Sequence, residues 1–226
     1  MTTFKTYSLK SAYTLAEVLV TLGIIGVVSA MTVPTLIQNH QRKTYVVQLH
    51  KFYNEMSQAL LQYQTDKNAV NLKEAGLNSN AAIGDFIKKY FKVVNDCGST
   101  RTPCFGADTY KKINGGIFTT SLGNYLTIAS GVSIAYAYVG NENGNGRFIT
   151  FDIDINGAKG PNVAGRDTFV LGVFSNGVID EYYLKSAPGT TDEREKIFNE
   201  NCIAADNNSW YGCFGKILND NWEMTY

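Results

Sequence analysis

The residue with the most chemical consequence is Glu17, a lone carboxylate near the start of an apolar run, residues 12–34 (AYTLAEVLVTLGIIGVVSAMTVP). Lys5 and Lys10 lie just before the run, and after Glu17 no charge follows until Arg42. A carboxylate at bilayer depth is costly, so it is a functional residue by default. It is tolerated when an ammonium group pairs with it; alone, it protonates or keeps its helix out of a bundle. Glu17 therefore reads as a register device, admitting only neighbours that present an amine at the right height.

Other residues offer weaker chemistry. The four cysteines, Cys97, Cys104, Cys202 and Cys213, fit an oxidising compartment. Three pairings are possible, and sequence alone does not choose among them. Local closure of two short loops is the simplest, with free thiols and crossed pairs as alternatives. Zinc is the competing use, but neither pair has C-x-x-C spacing, and His40 and His50 both fall in a stretch that reads as helix. The stretch Asp152-Ile153-Asp154-Ile155-Asn156-Gly157 opens like a calcium loop, with oxygen ligands at alternate positions and a glycine turn. Val163 then stands where a bidentate Glu is required, and Asp167 comes four residues later. Asp152 and Asp154 read equally as the exposed face of a strand entering an Asn-Gly turn. Calcium binding by Asp152, Asp154, Asn156 and Asp167 is left open, and no cofactor or metal is assigned. The two histidines fall on different helix faces without a Ser or Cys nucleophile motif, so no enzyme is expected. Twenty basic residues balance twenty acidic ones, which removes the electrostatic footprint of a nucleic-acid binder.

Elements must hold these groups in place. The run from residue 15 to residue 37 is about 23 residues, enough for a helix to cross a hydrocarbon core of about 30 Å. The preceding lysines keep residues 1–11 on the cytoplasmic side and send the remainder outward. Beyond Pro34 the apolar positions continue as Leu36, Ile37, Val46, Val47, Leu49, Phe52, Tyr53, Met56, Leu60, Leu61 and Tyr63. These spacings of three and four mark one face of an amphipathic helix, which needs a folded domain against it. Gly23, Gly26 and Pro34 are points where the helix can bend. Residues 83–94 repeat helical spacing, and strand signals begin at Gly116. Val132, Ile134, Tyr136 and Tyr138 alternate with small residues, and Ile149, Phe151, Ile153 and Ile155 alternate with Thr150, Asp152 and Asp154. A glycine-rich loop, residues 141–146, joins these two strands. Residues 168–174 and 178–184 make a second hairpin over an Asn-Gly turn. Residues 190–201 read as a short helix capped by Thr191 or Asp192, with Glu195 behind. The expected class is α+β, a long helix packed on a small antiparallel sheet.

The residues Ala12-Tyr13-Thr14-Leu15-Ala16-Glu17-Val18, followed by the apolar run, resemble the prepilin N-terminus of type IV pilins and type II secretion pseudopilins. That family shows a small residue, a cleavage point, an aromatic residue, Thr-Leu-x-Glu and then a hydrophobic helix. The resemblance implies that a prepilin peptidase cuts between Ala12 and Tyr13 and that the new amino terminus on Tyr13 is N-methylated. It implies that Glu17 meets the positive amino terminus of a neighbouring subunit. Pro34 falls where many members have a proline that kinks or melts the helix in the filament. Two positions depart from the pattern: Ala12 replaces the usual Gly, and Tyr13 the usual Phe. The pair Cys202 and Cys213 resembles the C-terminal disulfide loop of many pilins. Residues 156–169 resemble a loop of pilin-like proteins, some pseudopilins of which bind calcium near the sheet.

The organisation so implied is a cytoplasmic leader (residues 1–12), a transmembrane and assembly helix (13–37), an amphipathic continuation (38–65) and a globular pilin-like domain (66–226). The implied partners are the prepilin peptidase, other pilin or pseudopilin subunits, the inner-membrane assembly platform and the membrane itself, with no nucleic acid. The implied location is the bacterial inner membrane, single-pass, with the globular part periplasmic or extracellular, and a filament after assembly. The competing expectation is a Sec-exported soluble binding protein or enzyme, cut after the small-residue site Val28-Ser29-Ala30.

Overall fold

The computed structural model describes residues 13–140, 146–204 and 209–226. Residues 1–12, including Ala12, and most of the glycine-rich loop at 141–146 therefore lie outside the described residues. The chain divides into two compact units, Met1–Gln41 and Arg42–Tyr226.

One helix, α1 (Leu15–Asp66), belongs to both units. In the first, every described residue is exposed, with many Leu, Ile, Val and Met side chains among them from Leu15 to Ile37. Pro34 sits inside this helix. Lacking an N–H, it leaves the Ala30 carbonyl without its donor four residues on. In the second unit α1 buries Val46, Leu49, Phe52, Met56, Ala59, Leu60 and Tyr63. The spacing of apolar residues anticipated most of this face, but Val47 and Leu61 lie off it and are exposed, and Ala59 joins it.

This face packs into the main core of an α+β domain. Six strands form one antiparallel sheet in the order β1 (Val93–Gly98), β4 (Tyr125–Ile128), β5 (Ser133–Tyr138), β6 (Arg147–Asp154), β7 (Thr168–Phe174) and β8 (Ile179–Glu181). Phe151 of β6 stands opposite Tyr136 of β5 and Leu171 of β7, so the inward apolar positions line up across three strands. With Ile149, Ile153, Phe169 and Val173 they join the α1 face and the helix α2 (Asn80–Tyr90) in one core.

The opposite face of the sheet corrects the expectation that Asp152 and Asp154 are exposed. Both are buried. A second layer covers them, built around Cys104, Phe105, Tyr110 and Phe118 with Trp210 packed on it. It contains the two-residue strands β2 (Tyr110–Lys111) and β3 (Ile117–Phe118). Alternation tells which side chains share a face, but not whether that face meets water.

Two helix boundaries also differ from expectation. The element expected at residues 83–94 begins at Asn80, where the Ser79 hydroxyl accepts the Ala82 N–H, and ends at Tyr90. Phe91 is extended, and the β-branched Val93 and Val94 enter β1 instead. The helix expected at 190–201 is α3 (Thr191–Ile197), followed by a π-helical turn, Phe198–Cys202. Its cap is Thr190, not Thr191 or Asp192. The box partner is Glu193, not Glu195, with the Thr190 hydroxyl and the Glu193 carboxylate each taking the other's backbone N–H. A last helix, α4 (Cys213–Asn219), follows Gly212.

The second hairpin forms as expected over Ser175-Asn176-Gly177, although β8 ends at Glu181 and not at Leu184. Gly177, at φ +83°, closes the turn with its N–H on the Phe174 carbonyl. Gly165 is required for a different reason. It takes φ +80°, and a Cβ there would lie 2.6 Å from the Cys213 sulfur.

Because α3 is only two turns long, its unpaired first-turn N–H groups are a large share of its backbone donors, and the cap satisfies one of them. Thr190→Ala is expected to destabilise the domain by about 1 kcal/mol, read as a lower urea midpoint with an unchanged slope. An unchanged midpoint would show that the capping box is energetically idle.

Candidate functional site

The first turn of α1 is closed by a capping box made from the Thr-Leu-Ala-Glu residues themselves. The backbone N–H of Thr14 and its hydroxyl both donate to one Glu17 carboxylate oxygen, at 2.8 and 2.9 Å, while the Glu17 N–H donates to the Thr14 hydroxyl at 3.2 Å. The carboxylate thus folds back onto the positive end of the helix, where the first N–H groups have no partner within the helix. Farther along, the hydroxyls of Thr21, Thr32 and Thr35 return to the carbonyls of Glu17, Val28 and Met31. These threonines present methyl groups outward, and the surface stays apolar. Tyr13 is 82% exposed, ahead of the first helical residue. By length and composition α1 can cross a membrane, which is compatible with a single-pass anchor.

The cysteines form two local disulfides, Cys97–Cys104 and Cys202–Cys213. The first ties β1 to the second layer, where the Ser133 hydroxyl donates to the Cys104 carbonyl. The second joins the π-helical turn to the start of α4. His50 stacks flat on Trp222, with ring centroids 4.0 Å apart, and so serves packing.

The oxygen-rich loop is only partly drawn together. Asp154 accepts the Tyr110 hydroxyl at 2.6 Å and the Asn156 N–H at 3.3 Å. Asp167 accepts the N–H groups of Asn162 and Val163 at 2.8 and 2.6 Å, and the Asn156 amide reaches it at 3.4 Å. These carboxylates pin the loop by taking its hydrogen bonds. Asp152 is not in that network. Among the described residues, no group of three or more His, Cys, Asp and Glu side chains is arranged to hold a metal ion.

A pair of acidic residues that sequence reasoning missed holds the C-terminal segment. Asp180 receives both nitrogens of the Arg194 fork, at 2.8 and 2.6 Å, and the Gly189 N–H at 2.9 Å. Glu181, fully buried, takes the N–H groups of Tyr182, Gly212 and Gly215 at 2.9, 3.0 and 2.7 Å. One carboxylate therefore fastens the end of β8 to the first turn of α4. The only sequence signal was the acidic pair itself, interrupting an otherwise apolar strand.

No family model, curated protein or solved structure matches the chain.

Burial dominates the titration of these acids. It pushes Asp154 up to about 8, against the pull of the Tyr110 hydroxyl, and Glu181 up to about 7, against three backbone donors. Asp152 and Asp167 are raised for the same reason. Carboxylates in the unfolded chain titrate near pH 4. Between about pH 4 and pH 8 the folded protein thus holds protons that the unfolded chain has released, and stability falls as pH rises through that window. Urea unfolding in micelles is expected to give a higher unfolding free energy at pH 5 than at pH 8. Asp154→Asn, which keeps an acceptor for Tyr110, is expected to narrow the gap. Equal stability at the two pH values would contradict this assignment.

Proposed function

We propose that this chain is a pilin-like structural subunit, processed by a prepilin peptidase and assembled through its N-terminal helix into a type IV pilus or a type II secretion pseudopilus. The observation that carries the reading is α1 itself. It is apolar and exposed from Leu15 to Ile37, holds a single carboxylate in its first turn, and becomes the core helix of an α+β domain from Val46 onward. A plain anchor needs no such carboxylate, and a domain helix needs no such apolar extension.

On this reading the work is mechanical, not catalytic. The peptidase cuts between Ala12 and Tyr13, and the amine created on Tyr13 is methylated. A neighbouring subunit's amine then meets Glu17. The capping box holds that carboxylate in a fixed place beforehand, so little side-chain freedom is lost on pairing. In a low-dielectric bundle an ion pair with a satisfied carboxylate is tolerated, whereas an unpaired one is strongly unfavourable. Only one stagger of neighbouring helices avoids that penalty. Repetition of one such head-to-tail contact gives an open helical fibre. The subunit resides in the inner membrane before assembly, with its globular domain on the outer side. The Sec-exported alternative is less well supported, because it places a carboxylate inside the apolar segment of a signal and leaves the amphipathic continuation past Pro34 without a purpose.

Glu17→Val removes the charge and keeps the helix apolar. Processing is expected to continue, while surface filaments fall at least about tenfold, since losing one partner of a buried charged pair costs about 3–5 kcal/mol, more than about a hundredfold in an equilibrium. Sheared filaments and the processed band on an immunoblot report the two steps separately. Undisturbed filaments in the variant would refute the register role.

A further inference from the structure

The first lysine or arginine residues after the apolar run of α1 are Arg42 and Lys43. A third cation joins them from far along the chain. The Tyr226 hydroxyl donates to the Gly165 carbonyl at 2.9 Å, which seats that ring beside Arg166. The charges of Arg42 and Arg166 both act on the Tyr226 hydroxyl, and Arg166 also acts on Tyr45, one turn of α1 beyond Arg42. Lys111 adds positive charge on the flank, since its backbone pairs with Val163 and Ala164 of the loop that carries Arg166. Lys43, Lys111 and Arg166 are exposed, and Arg42 is half-buried.

The acids nearby do not cancel this charge. Asp154 and Asp167 act on Tyr45, and Glu181 and Asp220 act on Tyr226. The first three are buried, accept hydrogen bonds from within the domain, and are pushed up by their burial. Asp220 lies 3.0 Å from the Lys216 ammonium. Among the described residues, by contrast, Arg42, Lys43, Lys111 and Arg166 take part in no ion pair. Folding thus gathers uncompensated positive charge around the point where α1 enters the domain.

We propose that Arg42, Lys43 and Arg166 form a site for the phosphate of an anionic phospholipid, such as phosphatidylglycerol, in the leaflet that α1 crosses last before the domain. The inference rests on the reading of α1 as a membrane helix and adds to it a lipid partner. Position in the chain selects this partner. Arg42 follows Ile37 by five residues, about 7.5 Å along an α-helix. A headgroup layer is about 5–7 Å thick. Helical side chains lean toward the N-terminal end of their helix, so the long Arg42 and Lys43 chains reach back into that layer. Guanidinium forks match pairs of phosphate oxygens, and the lysine adds a point charge. Nucleic acid carries the same phosphates, but a chain with no net charge lacks the extended cationic track it requires.

The test uses the full chain in phosphatidylcholine vesicles, with Lys5→Gln and Lys10→Gln in every sample so that those cations do not contribute. Trace spin-labelled phosphatidylglycerol or phosphatidylcholine reports, by its motionally restricted fraction, which lipid the protein holds. One cation near a lipid surface changes affinity about fivefold, and averaging over all the lipids around the helix dilutes that. Phosphatidylglycerol is expected to associate at least about twofold more strongly than phosphatidylcholine, with most of the preference lost at about 0.5 M salt. Changing Arg42, Lys43 and Arg166 together to Gln should bring the two lipids near parity, whereas Arg42→Lys with Arg166→Lys should keep most of the preference. Thermal melting verifies the fold of each variant, and the salt dependence decides the matter if the Gln variant does not fold. An inserted chain that holds both lipids equally, or a preference unchanged in the Gln variant, overturns the proposal and leaves the membrane reading intact. A chain that alkaline washing strips from the vesicles overturns both.

Discussion

Apolar surface must leave water, and α1 states that requirement twice. Fully burying a Leu, Ile, Val, Phe or Met side chain contributes about 1.5–3 kcal/mol. From Val46 onward the domain supplies that burial through Phe151, Leu171 and their neighbours. From Leu15 to Ile37 the described residues supply none, and more than a dozen such side chains stay exposed. An apolar helix of this length is satisfied by lipid or by other helices of its kind. In the proposed assembly Glu17 decides which helices qualify, because its pairing would be the directional contact in a surface that otherwise packs without preference.

The domain that covers the second half of α1 has its own difficulty. Strands β6–β8 are buried on both faces almost throughout, yet the second layer is built on two-residue strands and loops, and the C-terminal segment on seven-residue helices. Such pieces are not stable alone. Three kinds of fastening compensate: the two disulfides, the Arg194–Asp180 fork, and carboxylates that collect backbone N–H groups, Asp167 for the loop after β6 and Glu181 for α4. Burying acids is costly unless their hydrogen bonds are made. Burial still raises Asp167 and Glu181 against the pull of those hydrogen bonds, which is why the domain is expected to lose stability as pH rises.

Periodic elements were legible in the sequence. The three- and four-residue spacing from Val46 to Tyr63 located the buried face of α1, and the alternation of Ile149, Phe151 and Ile153 located β6 and its inward side. Asp152 and Asp154 were misread because alternation cannot reveal a second layer, and β2 and β3 are too short to carry a period. The cap of α3 was misplaced by one residue although Thr190-x-x-Glu193 follows the box pattern, since Thr191 and Asp192 compete for the same role. Glu181 was invisible for a deeper reason. Its partners are N–H groups at positions 182, 212 and 215, and no local pattern announces a contact made across thirty residues. The Thr14–Glu17 box was the opposite case, with all of its atoms within four residues, and yet the carboxylate was read only through its intersubunit role.

The central claim is that the apolar half of α1 is retained for assembly and that its amine is created by cleavage at Tyr13. Mass spectrometry of the mature protein tests this most directly, since the two ways of processing the N-terminus differ by 18 residues. An N-methylated Tyr13 as the first residue is the expected result. A mature chain beginning at Met31 would mean that the apolar helix is discarded as an export signal, and would contradict the claim outright.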